Sequence, residues 1–218
     1  MTREDLYTRP VAASAALLLI DVQCDFLDTP GHQGPMAVAG THAVIPAIAK
    51  LARAFRQQGL PIVHVVRLYR PDGSNVDLVR RHSIEQGARI AVPGSPGSQI
   101  AAEVLSESVE LEHELLLAGG LQQIGTAEHV LYKPRWGAFY DTRLDEHLRE
   151  SGSNTVIFAG CNFPNCPRTS IYEASERDYR VVLVSDAVSA AYQRGIDECR
   201  AIGVAVRDTT ETLAWLTC

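Results

Sequence analysis

The sequence predicts an α/β domain, a three-layer α/β/α sandwich around a six-stranded, mostly parallel sheet spanning residues 1–218. Three observations predict it. Apolar runs such as ALLLIDV at 16–22 are too continuous for a strand with one wet face, so they read as strands covered on both sides. Segments with helical periodicity separate these runs, which is the signature of right-handed crossovers between parallel strands. The chain of 218 residues, 46% hydrophobic, has the length for one substantial core.

Taken in order, the first strand is 16–22. Val44, Ile48, Leu51 and Phe55 then share one face of a helix over 44–58 that stops at Gly59, with Pro46 tolerated in its first turn. PIVHVVRL at 61–68 is the second strand. The Gly-, Pro-, Ser- and Arg-rich stretch 69–96 lacks periodicity and reads as a long functional loop. A third strand is expected at 128–133 and a helix at 141–149, where Leu144 and Leu148 share a face before Gly152. Strands at 155–159, 180–184 and 203–206 alternate with helices at 167–177, 195–201 and 210–216. Ligands of such a sheet bind beyond the carboxyl ends of its strands.

Composition narrows the function. The net charge is −6, and no basic run is present to follow a phosphate backbone, which argues against nucleic acid as a partner. The apolar run 11–20 is too short to span a membrane, is preceded by Arg3, Glu4, Asp5 and Arg9, and lacks a small-residue cleavage site. No membrane association is expected. Five irregularly spaced cysteines, Cys24, Cys161, Cys166, Cys199 and Cys218, read as reduced thiols of a cytoplasmic protein.

Three reactive side chains fall at strand ends on one rim of the sheet: Asp21, Lys133 and Cys166. Each alone has an ordinary reading, as a loop acid, a solvated cation and a small buried thiol. Cys166 differs from the other cysteines because Pro167 follows it and suits a first helical position, which places Cys166 at a helix N-cap. There, unpaired amides and the helix dipole are expected to lower the thiol pKa. The preceding turn, 160–165, supplies amide hydrogens for an oxyanion. The seven histidines are dispersed and none is flanked as a Cys-His pair, so the carboxylate of Asp21 is the candidate base.

Together these residues resemble the isochorismatase-like cysteine hydrolases, a family that includes nicotinamidase, N-carbamoylsarcosine amidase, ureidoacrylate amidohydrolase and biuret hydrolase. The resemblance runs along nearly the whole chain. LLLIDVQCDF at 17–26 is similar to the family's first strand with its catalytic Asp, and PGSPGS at 93–98 to its middle turn. KPRWGAF at 133–139 is similar to the segment of the catalytic Lys, and GCNFPNC at 160–166, with Thr169, Ala174 and Tyr179, to the nucleophile turn and helix. The resemblance implies the strand order 3-2-1-4-5-6, the triad Asp21, Lys133 and Cys166, an oxyanion hole at the backbone of Asn162 and Cys166, a cis peptide between Cys161 and Asn162, and assembly as a homodimer or homotetramer.

Two departures stand out. Phe163 and Pro164 occupy positions where the family commonly has Thr and then Asn or Asp. The metal-binding nicotinamidases carry Asp-x-His after the second strand, whereas this chain runs Arg67-Leu68-Tyr69-Arg70-Pro71-Asp72 and has no such pair there. An enzyme with neither metal nor other cofactor is expected, acting on a small amide or ureide through a thioester.

Phe26, Trp136 and Phe163, which flank these positions, are expected to wall the pocket, with Phe139 equally suited to the core. Arg67, Arg70, Arg80 and Arg81 are candidates for a substrate carboxylate, two or three of them being solvated in the loop reading. Alternatives remain: an isochorismatase-type vinyl-ether hydrolase, or a catalytically silent binding member of the fold. A phosphotransferase that also uses an Asp after strand one would need a second Asp where Gln23 stands.

Overall fold

A computed structural model describes residues 5–29 and 32–217. Arg3, Glu4 and Cys218 lie outside the described residues. The elements are β1 (Ala15–Ile20), a short hairpin of β2 (Asp28–Thr29) and β3 (His32–Gln33), α1 (Thr41–Gln58), β4 (Ile62–Val66), α2 (Leu78–Glu85), α3 (His113–Leu117), β5 (Leu121–Gly125) and β6 (Glu128–Tyr132). They continue with α4 (Leu144–Glu150), β7 (Thr155–Gly160), α5 (Cys166–Ser175), β8 (Arg180–Val188), α6 (Gln193–Ala201), β9 (Ala205–Arg207) and α7 (Thr209–Leu216).

The main sheet has seven strands in the order β5-β6-β4-β1-β7-β8-β9. Every neighbouring pair is parallel except β5 with β6. Without β5 the order is third, second, first, fourth, fifth, sixth, as expected. The expected count of six is therefore corrected by one antiparallel edge strand. Its sequence, LQQIG, is short and polar, and its mixed burial reflects an edge position with little apolar patterning to reveal it.

β1 shows why the apolar run is continuous. Leu17 and Leu19 join one core cluster with Ile48, Leu51 and Phe55 of α1, while Leu18 and Ile20 join the other with Leu144, Leu148, Phe158 and Ile171. All four β1 side chains are at most 1% exposed, and each contributes about 1.5–3 kcal/mol by leaving water. The strand order reverses between β1 and β7, which run parallel, so the carboxyl ends of these two strands open the crevice where an open α/β sheet binds its ligand.

Three local expectations change. α1 begins at Thr41, so Pro46 falls in its second turn and costs one ladder hydrogen bond; the Gly59 stop is present, with φ 65°. The stretch read as loop contains α2, which buries none of its residues and so carries no apolar stripe. The described residues contain no cis peptide bond, so Cys161–Asn162 is trans, the form favoured by ~3 kcal/mol for a residue other than proline.

Candidate active site

Strand β4 lies between β1 and β6, and it holds the residues that follow both neighbours. Asp21, next after β1, donates its N–H to the Val65 carbonyl at 2.8 Å, and Lys133, next after β6, donates to the Val66 carbonyl at 3.0 Å. Asp21 has φ 51°, a left-handed conformation that costs a non-glycine residue about 1–3 kcal/mol and re-aims its side chain out of the strand direction. On the other side of β1, Gly160 ends β7 with φ 121°, and a Cβ there would sit 2.2 Å from the Ile20 carbonyl oxygen. Only glycine lets the turn that leads to Cys166 start this close to β1.

The side chains converge as the sequence predicts. Lys133 Nζ lies 2.9 Å from Asp21 Oδ2, with 0% and 7% side-chain exposure, and it also donates to the Arg135 carbonyl at 3.3 Å. Asp21 Oδ1 is buried without a hydrogen-bond partner. Cys166 is buried and lines the same cavity as Asp21.

Cys166 occupies the first position of α5, and Asn165 is the N-cap, one residue earlier than expected. The electrostatic expectation is also corrected. Burial pushes the Cys166 thiol above its ordinary range, and the Asp21 charge pushes it further; Lys133 and Arg67 oppose them without winning. Removal of the thiolate from water outweighs the helix terminus, so the resting group is a neutral thiol facing a carboxylate.

The turn before Cys166 has little freedom. The N–H groups of Cys161, Phe163 and Asn165 donate to the carbonyls of Ile20, Ser189 and Asn162 at 2.8, 2.8 and 3.0 Å. Pro164 has no N–H, which leaves the amides of Asn162 and Cys166 as the turn's remaining donors.

The cavity measures about 140 Å³, and Asp21, Phe26, Arg67, Asn162 and Cys166 are among its walls. That is smaller than the roughly 300–1,000 Å³ of most small-molecule sites. Trp136 and Phe163 do not line it. Phe163 is fully buried in the core, 5.6 Å from the Tyr192 ring between centroids, and Trp136 packs half-buried against the same cluster. Both are drawn inward because the segments carrying them dock on α5 and α6 rather than face the crevice. Phe139 is likewise core, against Tyr179.

Sequence reasoning missed Tyr69, Cys161 and Asn165 as cavity residues and Asp77 behind them. Asp77 accepts from Arg67 Nη1 at 3.2 Å and from the Tyr69 hydroxyl at 2.8 Å. No motif marked it, because it lies in the aperiodic stretch. Two larger cavities, about 300 and 360 Å³, adjoin Glu128 and Tyr132 respectively, and neither is lined by a cysteine. Among the described residues no group of three or more His, Cys, Asp or Glu is arranged to hold a metal ion, and no helix is long and apolar enough to cross a membrane.

Comparison with known proteins adds three relatives. A protein of Arabidopsis thaliana described as a probable inactive nicotinamidase is 30% identical over 82% of each chain. A ureidoacrylate amidohydrolase of Methylobacterium radiotolerans is 28% identical over 82% of this chain and 68% of that one. The crystal structure of an isochorismatase family protein from Desulfovibrio vulgaris superposes with a TM-score of 0.77 at 33% identity, covering 94% of this chain and 99% of that one. The model of the isochorismatase domain matches residues 15–211, and with the sheet order and the strand-end residues described above, the chain belongs to the isochorismatase family.

Proposed function

We propose that this protein is a cysteine hydrolase that cleaves a C–N bond of a small amide or ureide through a thioester acyl-enzyme. One observation carries the reading: the thiol of Cys166 and the carboxylate of Asp21 line one small cavity, and the carboxylate is held at 2.9 Å by the buried ammonium of Lys133. Because one relative is described as inactive, membership of the family alone does not make this chain an enzyme. The retained acid, amine and thiol support activity, and the amidohydrolase relative supports the bond type.

Asp21, through the otherwise unpartnered Oδ1, takes the thiol proton as sulfur attacks the carbonyl carbon. The amides of Asn162 and Cys166 receive the developing oxyanion. Asp21 then gives its proton to the leaving nitrogen, the C–N bond breaks, and the acyl group remains on sulfur as a thioester. Water, deprotonated by the same carboxylate, attacks the thioester; the acid departs and the proton returns to sulfur. Lys133 balances the carboxylate charge throughout.

A panel of small amides and ureides assayed for ammonia release tests this. Cys166→Ala and Asp21→Asn should each lower turnover by at least ~1,000-fold while circular dichroism stays unchanged. Full activity in folded Cys166→Ala would rule the scheme out.

A further inference from the structure

Two guanidinium groups on the wall of the catalytic cavity share a single carboxylate. Arg67, the residue after β4, is 2% exposed. Its Nη1 donates to Asp77 Oδ2 at 3.2 Å and to the Pro134 carbonyl at 2.8 Å, while its Nη2 is buried with no hydrogen-bond partner. Arg80, on α2, approaches Asp77 Oδ1 only to 3.7 Å, and its Nε and Nη1 are buried with no hydrogen-bond partner. Both arginines line the cavity that holds Asp21 and Cys166.

Lys133 is matched by Asp21, and Arg67 with Arg80 is matched by Asp77 alone, so with a neutral thiol the site carries one positive charge in excess. Tyr69 adds none, since its hydroxyl is protonated and donates to Asp77. Buried guanidinium N–H groups without acceptors are costly, and a substrate that supplies the acceptors removes that cost on binding. The excess of one charge fits a monoanion better than a dianionic phosphate. The planar forks of arginine fit a carboxylate.

We propose that Arg67 and Arg80 form a carboxylate clamp, so that the substrate is a small monoanionic amide or ureide whose carboxylate sits on the clamp while its scissile carbonyl meets Cys166. This rests on the hydrolase reading above and deepens it. Asp77, shared by both arginines and Tyr69, orients the clamp. Arg70 and Arg81, on the same stretch of chain, are exposed and take no part.

Iodoacetate and iodoacetamide test the clamp without a known substrate. Both alkylate a thiol and differ only as carboxylate and carboxamide. The rate ratio of iodoacetate to iodoacetamide is measured at Cys166 by peptide mapping of the intact protein, with glutathione as reference at the same pH. The clamp should raise the ratio at Cys166 above that of glutathione by about tenfold or more, and Arg80→Gln should abolish most of that gain. Arg80→Lys, which keeps the charge and loses the fork, should fall between. Arg80 is the position to change, because no residue of α2 is fully buried, whereas Arg67 is 2% exposed and donates to the Pro134 carbonyl.

A ratio at Cys166 equal to that of glutathione overturns the clamp and leaves the hydrolase reading standing. A raised ratio unmoved in Arg80→Gln overturns it too, since Arg80 then contributes nothing to the selectivity and no two-arginine clamp exists. Alkylation by neither reagent sinks the nucleophile assignment, and the clamp with it.

Discussion

Lys133 Nζ sits 2.9 Å from Asp21 Oδ2 although the two residues leave strands that do not touch, with β4 between them. Adjacent strands lie about 4.8 Å apart, so the backbones are separated by roughly twice that, and only a long side chain spans the gap. Lysine does so inside the protein, with 0% exposure. The pair is mutually dependent, because each partner is the other's compensation for lost water.

Replacing Lys133 by Met keeps the length and removes the charge. Asp21 is then buried and unpaired, and the protein should lose about 3–5 kcal/mol of stability, read as a lower midpoint in urea. Asp21→Asn combined with Lys133→Met removes both charges and should recover much of that loss. If the double variant is no more stable than Lys133→Met alone, the pair does not carry the energy assigned to it.

What the sequence made legible follows from the same physics. β1 is buried on both faces, so its residues are uniformly apolar up to Asp21, and the break in the pattern marks the acid at the strand end as the candidate. Lys133 and Cys166 likewise follow strands or turns with strong local signals. Asp77 had no such marker, and Arg80 was one of four arginine candidates with nothing to set it apart from Arg70 and Arg81. They lie on and beside α2, whose exposed Leu78 and Val79 give no amphipathic stripe, and only the fold back onto the rim brings them to the cavity. Phe163 misled for the opposite reason: adjacency along the chain to the nucleophile suggested a pocket wall, whereas its side chain points into the core. The thiol's charge state was illegible too, since helix position can be read from Pro167 but burial cannot.

Gly160→Ala places a methyl group 2.2 Å from the Ile20 carbonyl oxygen at a φ of 121°. The backbone conformation alone costs an alanine about 1–3 kcal/mol, and the clash adds to it. The turn that leads to Cys166 should shift away from β1, with a fall in thermal midpoint and a larger fall in turnover. A variant as stable and as active as the parent would show that this close approach is not needed.

The protonated state of Cys166 gives a pH signature. With its thiol held above the ordinary range, first by burial and then by the Asp21 charge, the thiolate fraction at neutral pH is small. Alkylation by iodoacetamide should therefore keep rising with pH beyond the point where glutathione levels off. Asp21→Asn removes the like charge and should bring that rise to lower pH, so that the thiol becomes easier to label in the variant expected to lose hydrolysis. The opposite shift would mean that Asp21 does not face the thiol electrostatically.

Acid stability depends on a second buried cluster, at the opposite end of the sheet. Glu128, the first residue of β6, accepts from Arg56 Nε and Nη2 at 2.7 and 2.6 Å and lies 2.6 Å from His64 Nε2. Burial alone would push its carboxyl up, but the hydrogen bonds from Arg56 and His64 prevail and hold it at about 2, below its usual 4.5. A carboxyl depressed in the folded state stabilises the protein above its unfolded value and loses that contribution as protons bind. The contribution, about 3 kcal/mol for a shift of this size, is complete above pH 4.5 and disappears as pH falls toward 2. Urea unfolding between pH 6 and 2 should show this slope in the parent and a shallower one in Glu128→Gln, which cannot titrate. Equal slopes in the two proteins would assign the acid lability to other carboxylates.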